Sequence, residues 1–172
     1  MDNLVEEVRR EVLSFCTGEP IIATLSAETE DLDEYNLLIF VRSISDCTPT
    51  YLQSVRLHLF LPKKYPEVSP TVKLYKAKLF HPNFSASGEW MDNVMRQNET
   101  IEEYLMRLIR VLQFKEINVD KVADRNAMAW YNKNIDSGIF PTSGINYKVK
   151  PHIVIKKINN ISFFQEDFEV RV

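Results

Sequence analysis

Residues 65–91 read YPEVSPTVKLYKAKLFHPNFSASGEWM and contain two proline motifs separated by a strand-like pattern. In the first motif, Tyr65-Pro66-Glu67-Val68-Ser69-Pro70, two fixed φ angles predict a stiff crossing between strands, since proline cannot donate within a strand interior. The second motif is the tripeptide His81-Pro82-Asn83, and the chain from there to residue 98 shows no hydrophobic period. We therefore predict that residues 81–98 form a long irregular segment, the flap.

Strand patterns lie on both sides of the first motif. Asn36–Arg42 is a continuous apolar run, typical of a strand buried on both faces, whereas Tyr51–Leu61 alternates between an apolar and a polar face. Residues 44–50 are predicted to be the turn between these two strands. With Ile21–Leu25 and Thr71–Tyr75, these segments predict four consecutive antiparallel strands, a meander.

Helix patterns lie at the start of the chain and after the flap. Residues 2–16 have one apolar stripe and one charged face, which predicts an amphipathic helix. Ile101–Phe114 carries the clearest helical period in the chain. Thr100 and Glu103 are spaced to form a capping box before it, and Glu103 is also spaced to pair with Arg107.

The last third of the chain changes from helical to β-rich patterns. A further helix is predicted from an Asp120 cap to about Asn134, with Ala123, Ala127 and Trp130 buried. Around Asn159-Asn160 the sequence predicts a hairpin that packs on the same chain or pairs with a second one. We expect an α+β domain over residues 1–140 and a β-hairpin extension over residues 141–172.

Composition excludes several classes of function. The 172 residues carry a net charge of −3 and no basic stripe, so nucleic-acid binding is not expected. The two cysteines, Cys16 and Cys47, match neither a disulfide framework nor a zinc site, and no metal or cofactor is expected. The acidic start and the lack of a long apolar run predict a soluble cytoplasmic protein that does not enter the membrane.

The two motifs together resemble those of the ubiquitin-conjugating enzymes. That family and its non-catalytic relatives, the RWD domains, share a Tyr-Pro-x-x-x-Pro crossing, whereas the histidine-proline-asparagine tripeptide is characteristic of the conjugating enzymes. The acidic segment at residues 31–36 and the helix start at Thr100-Ile101 are weaker similarities. The resemblance covers residues 2–135 and implies a UBC-like fold: an N-terminal helix, a four-stranded meander, a flap and a central helix.

The resemblance also implies where a nucleophile would lie. Active members place the catalytic cysteine ten residues after the histidine of the tripeptide, and a glycine stands between them. Here that count runs from His81 to Met91, and Gly88 falls where the family has its glycine. A thioether has no proton to lose and cannot form a thioester. His81, Pro82, Asn83, Gly88 and Met91 therefore resemble a vestigial site with no catalytic residue.

Other residues of this region have expected roles of their own. Asn83 would stabilise an oxyanion and brace the flap in an active relative, and here we expect only bracing from it and from His81. Trp90 either fills the vestigial groove or anchors a partner, and Tyr65, Pro66 and Pro70 are further candidate binding residues. Ser85 and Ser87 are candidate oxyester nucleophiles, but the sequence places no second histidine to act as their base. The stretch from Met91 to Thr100 looks shorter than in the family and lacks its usual tryptophan and proline.

The expected function is that of a catalytically inactive ubiquitin E2 variant, an adaptor rather than an enzyme. Its expected partners are ubiquitin or a ubiquitin-like protein, an active conjugating enzyme or ligase, or a short peptide. It would act as a monomer or as a dimer formed through the tail. Two alternatives are an RWD-type interaction module unrelated to ubiquitin and a transferase with an unconventional nucleophile.

Overall fold

The computed structural model describes residues 21–76 and 78–142 of the chain. The helix predicted over residues 2–16 and the hairpin predicted over residues 141–172 lie outside this part, apart from the first two residues of the latter. Within it, neither helix combines the length and the apolar content that crossing a membrane requires.

The main sheet has four antiparallel strands in the order β1-β2-β5-β6, and a separate two-stranded ribbon pairs β3 with β4. This arrangement confirms the predicted meander and the α+β class. The strands are β1 (Ile21–Glu28), β2 (Leu32–Ile39), β3 (Ser43–Asp46), β4 (Thr50–Leu52), β5 (Val55–Pro62) and β6 (Thr71–Leu74).

The ribbon corrects the turn predicted over residues 44–50. Ser43 and Ile44 of β3 pair with Leu52 and Tyr51 of β4, so only the short stretch between these strands is left as a turn. Ile44 is fully buried in a second apolar cluster with Phe114 and Phe140. Burying this side chain needs a paired backbone, because an unpaired buried N–H or C=O is costly.

The prediction that the second strand is buried on both faces is wrong. β2 begins four residues earlier than the predicted segment, at Leu32, and its residues alternate between buried and half-buried positions. Tyr35, Leu37 and Ile39 face the core, whereas Phe40, just beyond the strand, is exposed. The reason is that the main core, shared with the central helix, lies on one face of the sheet.

The central helix α1 spans Ile101–Leu112 and packs its apolar stripe into the main core. The capping box is confirmed, because the Thr100 hydroxyl accepts from the Glu103 N–H and the Glu103 carboxylate accepts from the Thr100 N–H at 2.9 Å. The predicted Glu103–Arg107 pair is wrong. Arg107 points into the protein and bonds Glu99 instead.

The second helix, α2, spans Arg125–Asn134 and starts later than predicted, with Asp124 rather than Asp120 as its cap. Of the three residues predicted to be buried, Ala127 is buried, Trp130 is half-buried and Ala123 is exposed. The helix starts late because the preceding backbone is bonded to the tripeptide: the N–H groups of Ala123 and Asp124 both donate to the Pro82 carbonyl.

Candidate functional site

The proline crossing connects β5 to β6 and packs against one end of the core. The Tyr65-Pro66 peptide bond is cis. Pro66 is exposed, Tyr65 is half-buried against the main core, and Pro70 is buried, with its carbonyl accepting from the Tyr104 hydroxyl at 3.2 Å. Pro66 is thus the most accessible of the three candidate binding residues in this crossing, and their role in binding stays a prediction.

The His81 ring is completely buried at the start of the flap. Its Nε2–H donates to the Val111 carbonyl at 2.8 Å, and its Nδ1 accepts from the Asn83 backbone N–H at 3.1 Å. Burial lowers the pKa of His81 to about 3, so the imidazole is neutral at pH 7. Because both ring nitrogens are already bonded to the backbone, His81 shapes the turn and is not free to act as a base.

The Asn83 side chain joins the flap to the loop before α2. Its Nδ2–H groups donate to the carbonyls of Asn118, at 2.6 Å, and Lys121, at 2.9 Å, and its Oδ1 accepts from the Asn118 N–H at 3.0 Å. The Asn83 carbonyl accepts from the Met91 N–H at 2.9 Å. Both donors of the amide are thus used to brace the flap against this loop.

Gly88 lets the flap run close along the outer edge of β6. It has a φ of 85°, and a Cβ at this position would lie 2.9 Å from the Leu74 Cβ. Two backbone hydrogen bonds join the flap to β6. The Leu74 N–H donates to the Gly88 carbonyl at 2.8 Å, and the Trp90 N–H donates to the Val72 carbonyl at 3.1 Å. Only glycine combines this conformation with this approach at low cost, and the contacts cover a sheet edge that would otherwise be open.

Met91 lies at the surface directly beside the tripeptide, with 41% of the residue exposed. Its N–H donates to the Asn83 carbonyl. Met91 therefore lies next to the tripeptide, as the spacing in the sequence predicts. Of the two cysteines in the chain, Cys47 is exposed in the turn between β3 and β4, where its thiol donates to Asp46 Oδ1 at 3.2 Å. The accessible sulfur on the flap is therefore a thioether.

Trp90, next to Met91, is completely buried in the main core. Its ring lies 5.1 Å from that of Tyr104 on α1, measured between centroids. A side chain at this depth cannot touch a partner while the flap is closed. Its position favours the filling role over the anchoring role.

The two candidate oxyester serines bond to each other rather than to a base. Ser85 Oγ and Ser87 Oγ are 2.8 Å apart, and Ser85 Oγ also accepts from the Glu89 N–H at 3.0 Å. His81 has no free ring nitrogen to activate them. Neither serine therefore has the base that nucleophile activation needs.

The burial of Arg107 is not predicted by the sequence pattern. Its side chain is fully buried between α1 and the residues that follow Met91, where it bonds Asp92 and Glu99. One signal was available: Arg107 lies three residues after Tyr104 and four before Val111, so it borders the apolar stripe of the helix. A charged residue at such a position is expected to lie at the surface unless buried partners for its charge are known.

Comparison with known proteins matches residues 10–138 to the family model described as "Ubiquitin-conjugating enzyme". No curated protein matches the sequence. Among solved structures, the chain is similar to human ubiquitin-conjugating enzyme E2 G1, at 21% sequence identity and a TM-score of 0.46. That similarity covers 62% of this chain and 92% of the other. The family match includes the crossing, the flap and both described helices.

Proposed function

The chain belongs to the ubiquitin-conjugating enzyme family, and we propose that it is a non-catalytic member that works by binding. The observation that carries the proposal is Met91, which stands ten residues after His81. Thioester transfer requires a sulfur that ionises and then bonds to a carbonyl carbon. A methionine at the surface of the flap supplies neither property.

The hydrogen bonds of Asn83 agree with the same proposal. A residue that stabilises a developing oxyanion must aim a donor at the reacting group. Both amide donors of Asn83 instead hold the loop at Asn118 and Lys121. The tripeptide thus works as a brace, a task that a binding protein needs as much as an enzyme does.

The proposed partners are proteins of a ubiquitin or ubiquitin-like pathway: the modifier itself, an active conjugating enzyme or ligase, or a short peptide from such a protein. Family membership supports this choice, and the tripeptide favours it over an RWD-type module. Titrating ¹⁵N-labelled protein with ubiquitin, ubiquitin-like proteins and active conjugating enzymes should give localised NMR shifts with at least one of them. A complete lack of response would favour the RWD-type alternative.

A charging assay tests the lack of catalysis. The protein is incubated with activating enzyme, ATP and ubiquitin or a ubiquitin-like protein, and an active conjugating enzyme serves as the positive control. We expect no covalent adduct. An adduct removed by reducing agent would indicate a thioester, and Cys47→Ser would test its site. One removed only by hydroxylamine would indicate an oxyester, and Ser85→Ala and Ser87→Ala would locate it. Either adduct would overturn the proposal.

A further inference from the structure

The segment after Met91, residues 92–99, is here called the strap, and the name flap is kept from this point for residues 81–91. It has no strand or helix of its own and runs from the flap to Thr100, the cap of α1. Backbone segments without regular structure need other partners for their polar groups. For the strap, one side chain of α1, Arg107, bonds two of the backbone carbonyls and two of the carboxylates.

The Arg107 guanidinium uses all five of its N–H donors on the strap. Nε and Nη2 donate to the two carboxylate oxygens of Glu99, each at 2.8 Å. Nη1 donates to the carbonyl of Asp92 at 2.6 Å and to its carboxylate at 3.0 Å, and Nη2 donates to the Val94 carbonyl at 3.1 Å. Five is the full capacity of an arginine, so the strap satisfies this buried cation completely.

The same guanidinium lies against two aromatic rings of the core. Its central carbon is 4.8 Å from the centre of the Trp90 ring and 5.3 Å from that of Tyr104. Both separations are within the range of cation–π attraction. Arg107 therefore connects the strap above it to the core below it.

The network continues from the strap to the tripeptide. The second carboxylate oxygen of Asp92 accepts from the Asn118 amide at 2.9 Å, and the Asn118 N–H donates to Asn83 Oδ1. One continuous series of hydrogen bonds therefore joins Asn83, through Asn118, to Asp92. Met91 precedes Asp92 in the chain and bonds to Asn83, so its backbone is held at both ends of this series. We infer that Arg107 is a positioning residue that holds the strap closed and, through Asp92 and Asn118, fixes the surface around Met91.

The other bonds of the strap to the rest of the chain are weaker. The Met95 N–H donates to Ser69 Oγ at 3.2 Å, and Arg96 pairs with Glu116 near the surface. This neutral hydrogen bond, this exposed ion pair and the bond from Asn118 to Asp92 each stabilise less than a buried, bidentate charge pair. Loss of Arg107 should therefore release the strap as a unit and uncover the Trp90 ring.

Substitution at Arg107 tests this inference, with Arg110 as a matched control on the same helix. Arg110 pairs with Glu116, but 43% of its side chain is exposed. We compare Arg107→Lys and Arg107→Gln with Arg110→Lys and Arg110→Gln. Lysine keeps the charge but lacks the planar set of donors, so it should restore the strap only in part. These measurements need no partner, and their outcome is independent of the proposed function.

Amide hydrogen exchange and tryptophan fluorescence provide the readouts. Exchange of the strap amides should become about tenfold faster or more in Arg107→Gln, while β2 and β5 keep their protection. The chain has two tryptophans, so in a Trp130→Phe background the fluorescence reports Trp90 alone. Acrylamide should quench Trp90 more strongly after Arg107→Gln, whereas the Arg110 variants should change either signal less than about twofold.

Two results would overturn the inference. One is a strap exchange rate within about twofold of the original protein in Arg107→Gln; the other is an equal acceleration in every strand and helix. If Arg107→Gln does not fold, Asn118→Ala removes the side-chain bonds of Asn118 to Asp92 and to the Asp120 N–H, and it leaves the backbone bonds of Asn118 to Asn83 in place. That variant should loosen the strap and the loop near Lys121 together, and unchanged exchange in both would contradict the network.

Discussion

The flap up to Met91 and the strap after it lie side by side but are held in opposite ways. The flap retains the family's tripeptide and is braced by neutral groups, the His81 imidazole and the Asn83 amide. The strap is held by a buried cation between two carboxylates, Asp92 and Glu99. The surface around Met91 thus depends on neutral hydrogen bonds on one side and on a buried charge network on the other.

The largest expected effect comes from removing the charge that holds the strap. Arg107→Met leaves two carboxylates near the core without their cation, and we expect it to lower the free energy of unfolding by about 3–5 kcal/mol. Urea denaturation measures the change. Arg110→Met, which removes a half-exposed partner of Glu116, should cost at most about 1 kcal/mol. Similar losses in the two variants would mean that the strap does not depend on a buried charge.

Acid should affect the flap before it affects the strap. Since burial lowers the pKa of His81 from 6.5 to about 3, the unfolded chain binds a proton that the folded chain does not. Stability should therefore fall as the pH drops below 6.5, by about 1.4 kcal/mol per pH unit, or about 2 kcal/mol by pH 5. His81→Gln should flatten this slope in denaturation curves measured from pH 7 to pH 5.

The strap should respond only in stronger acid. Burial by itself would raise the pKa of Glu99, but the hydrogen bonds and charges of Arg107 and Arg96 outweigh it and lower that pKa below 4.5. The stabilisation from this carboxylate is present above pH 4.5 and is lost as the pH falls through the lowered value. Strap amides that lose protection already near pH 6, ahead of the flap, would contradict the distinction between the two regions.

Gly88 tests how closely the flap must approach the sheet. Gly88→Ala meets both a positive φ and a contact with Leu74, and it should destabilise the protein by about 2–3 kcal/mol. Gly138 is the matched control, because it also has a positive φ, of 72°, but no atom lies within 4 Å of an added Cβ. Gly138→Ala should cost about 1 kcal/mol. Equal costs would show that the edge contact contributes little.

The smallest effect on stability is expected at Met91, although its chemical consequence is the most informative. Met91→Cys changes an exposed side chain and should alter stability by less than about 0.5 kcal/mol. We expect no efficient charging, because both Asn83 donors remain occupied and we expect the stretch from Met91 to Thr100 to be shorter than in the family. Charging as rapid as that of an active conjugating enzyme would show that the methionine alone prevents thioester formation at this position.

Much of the fold could be predicted because its signals are local. The alternation at Val55, Leu57, Leu59 and Leu61 assigns the buried face of β5, and Thr100 with Glu103 places the start of α1 within the sequence itself. The spacing from His81 to Met91 likewise predicted that Met91 lies beside the tripeptide, since the chain length between fixed points limits where a residue lies. Hydrophobic period, capping and spacing each act over a few residues, so a sequence reveals them directly.

Only the tertiary structure decided the features that depend on distant partners. The β3–β4 ribbon forms because Ile44 reaches Phe114 and Phe140, and α2 begins late because Pro82 accepts from the backbone before it. Arg107 is buried because Asp92, Val94 and Glu99, separated from it along the chain, together meet all of its donors. From the sequence alone, a charged side chain is expected to be exposed to water. The free-energy cost of burying it is offset only where the fold brings its counter-charges close to it.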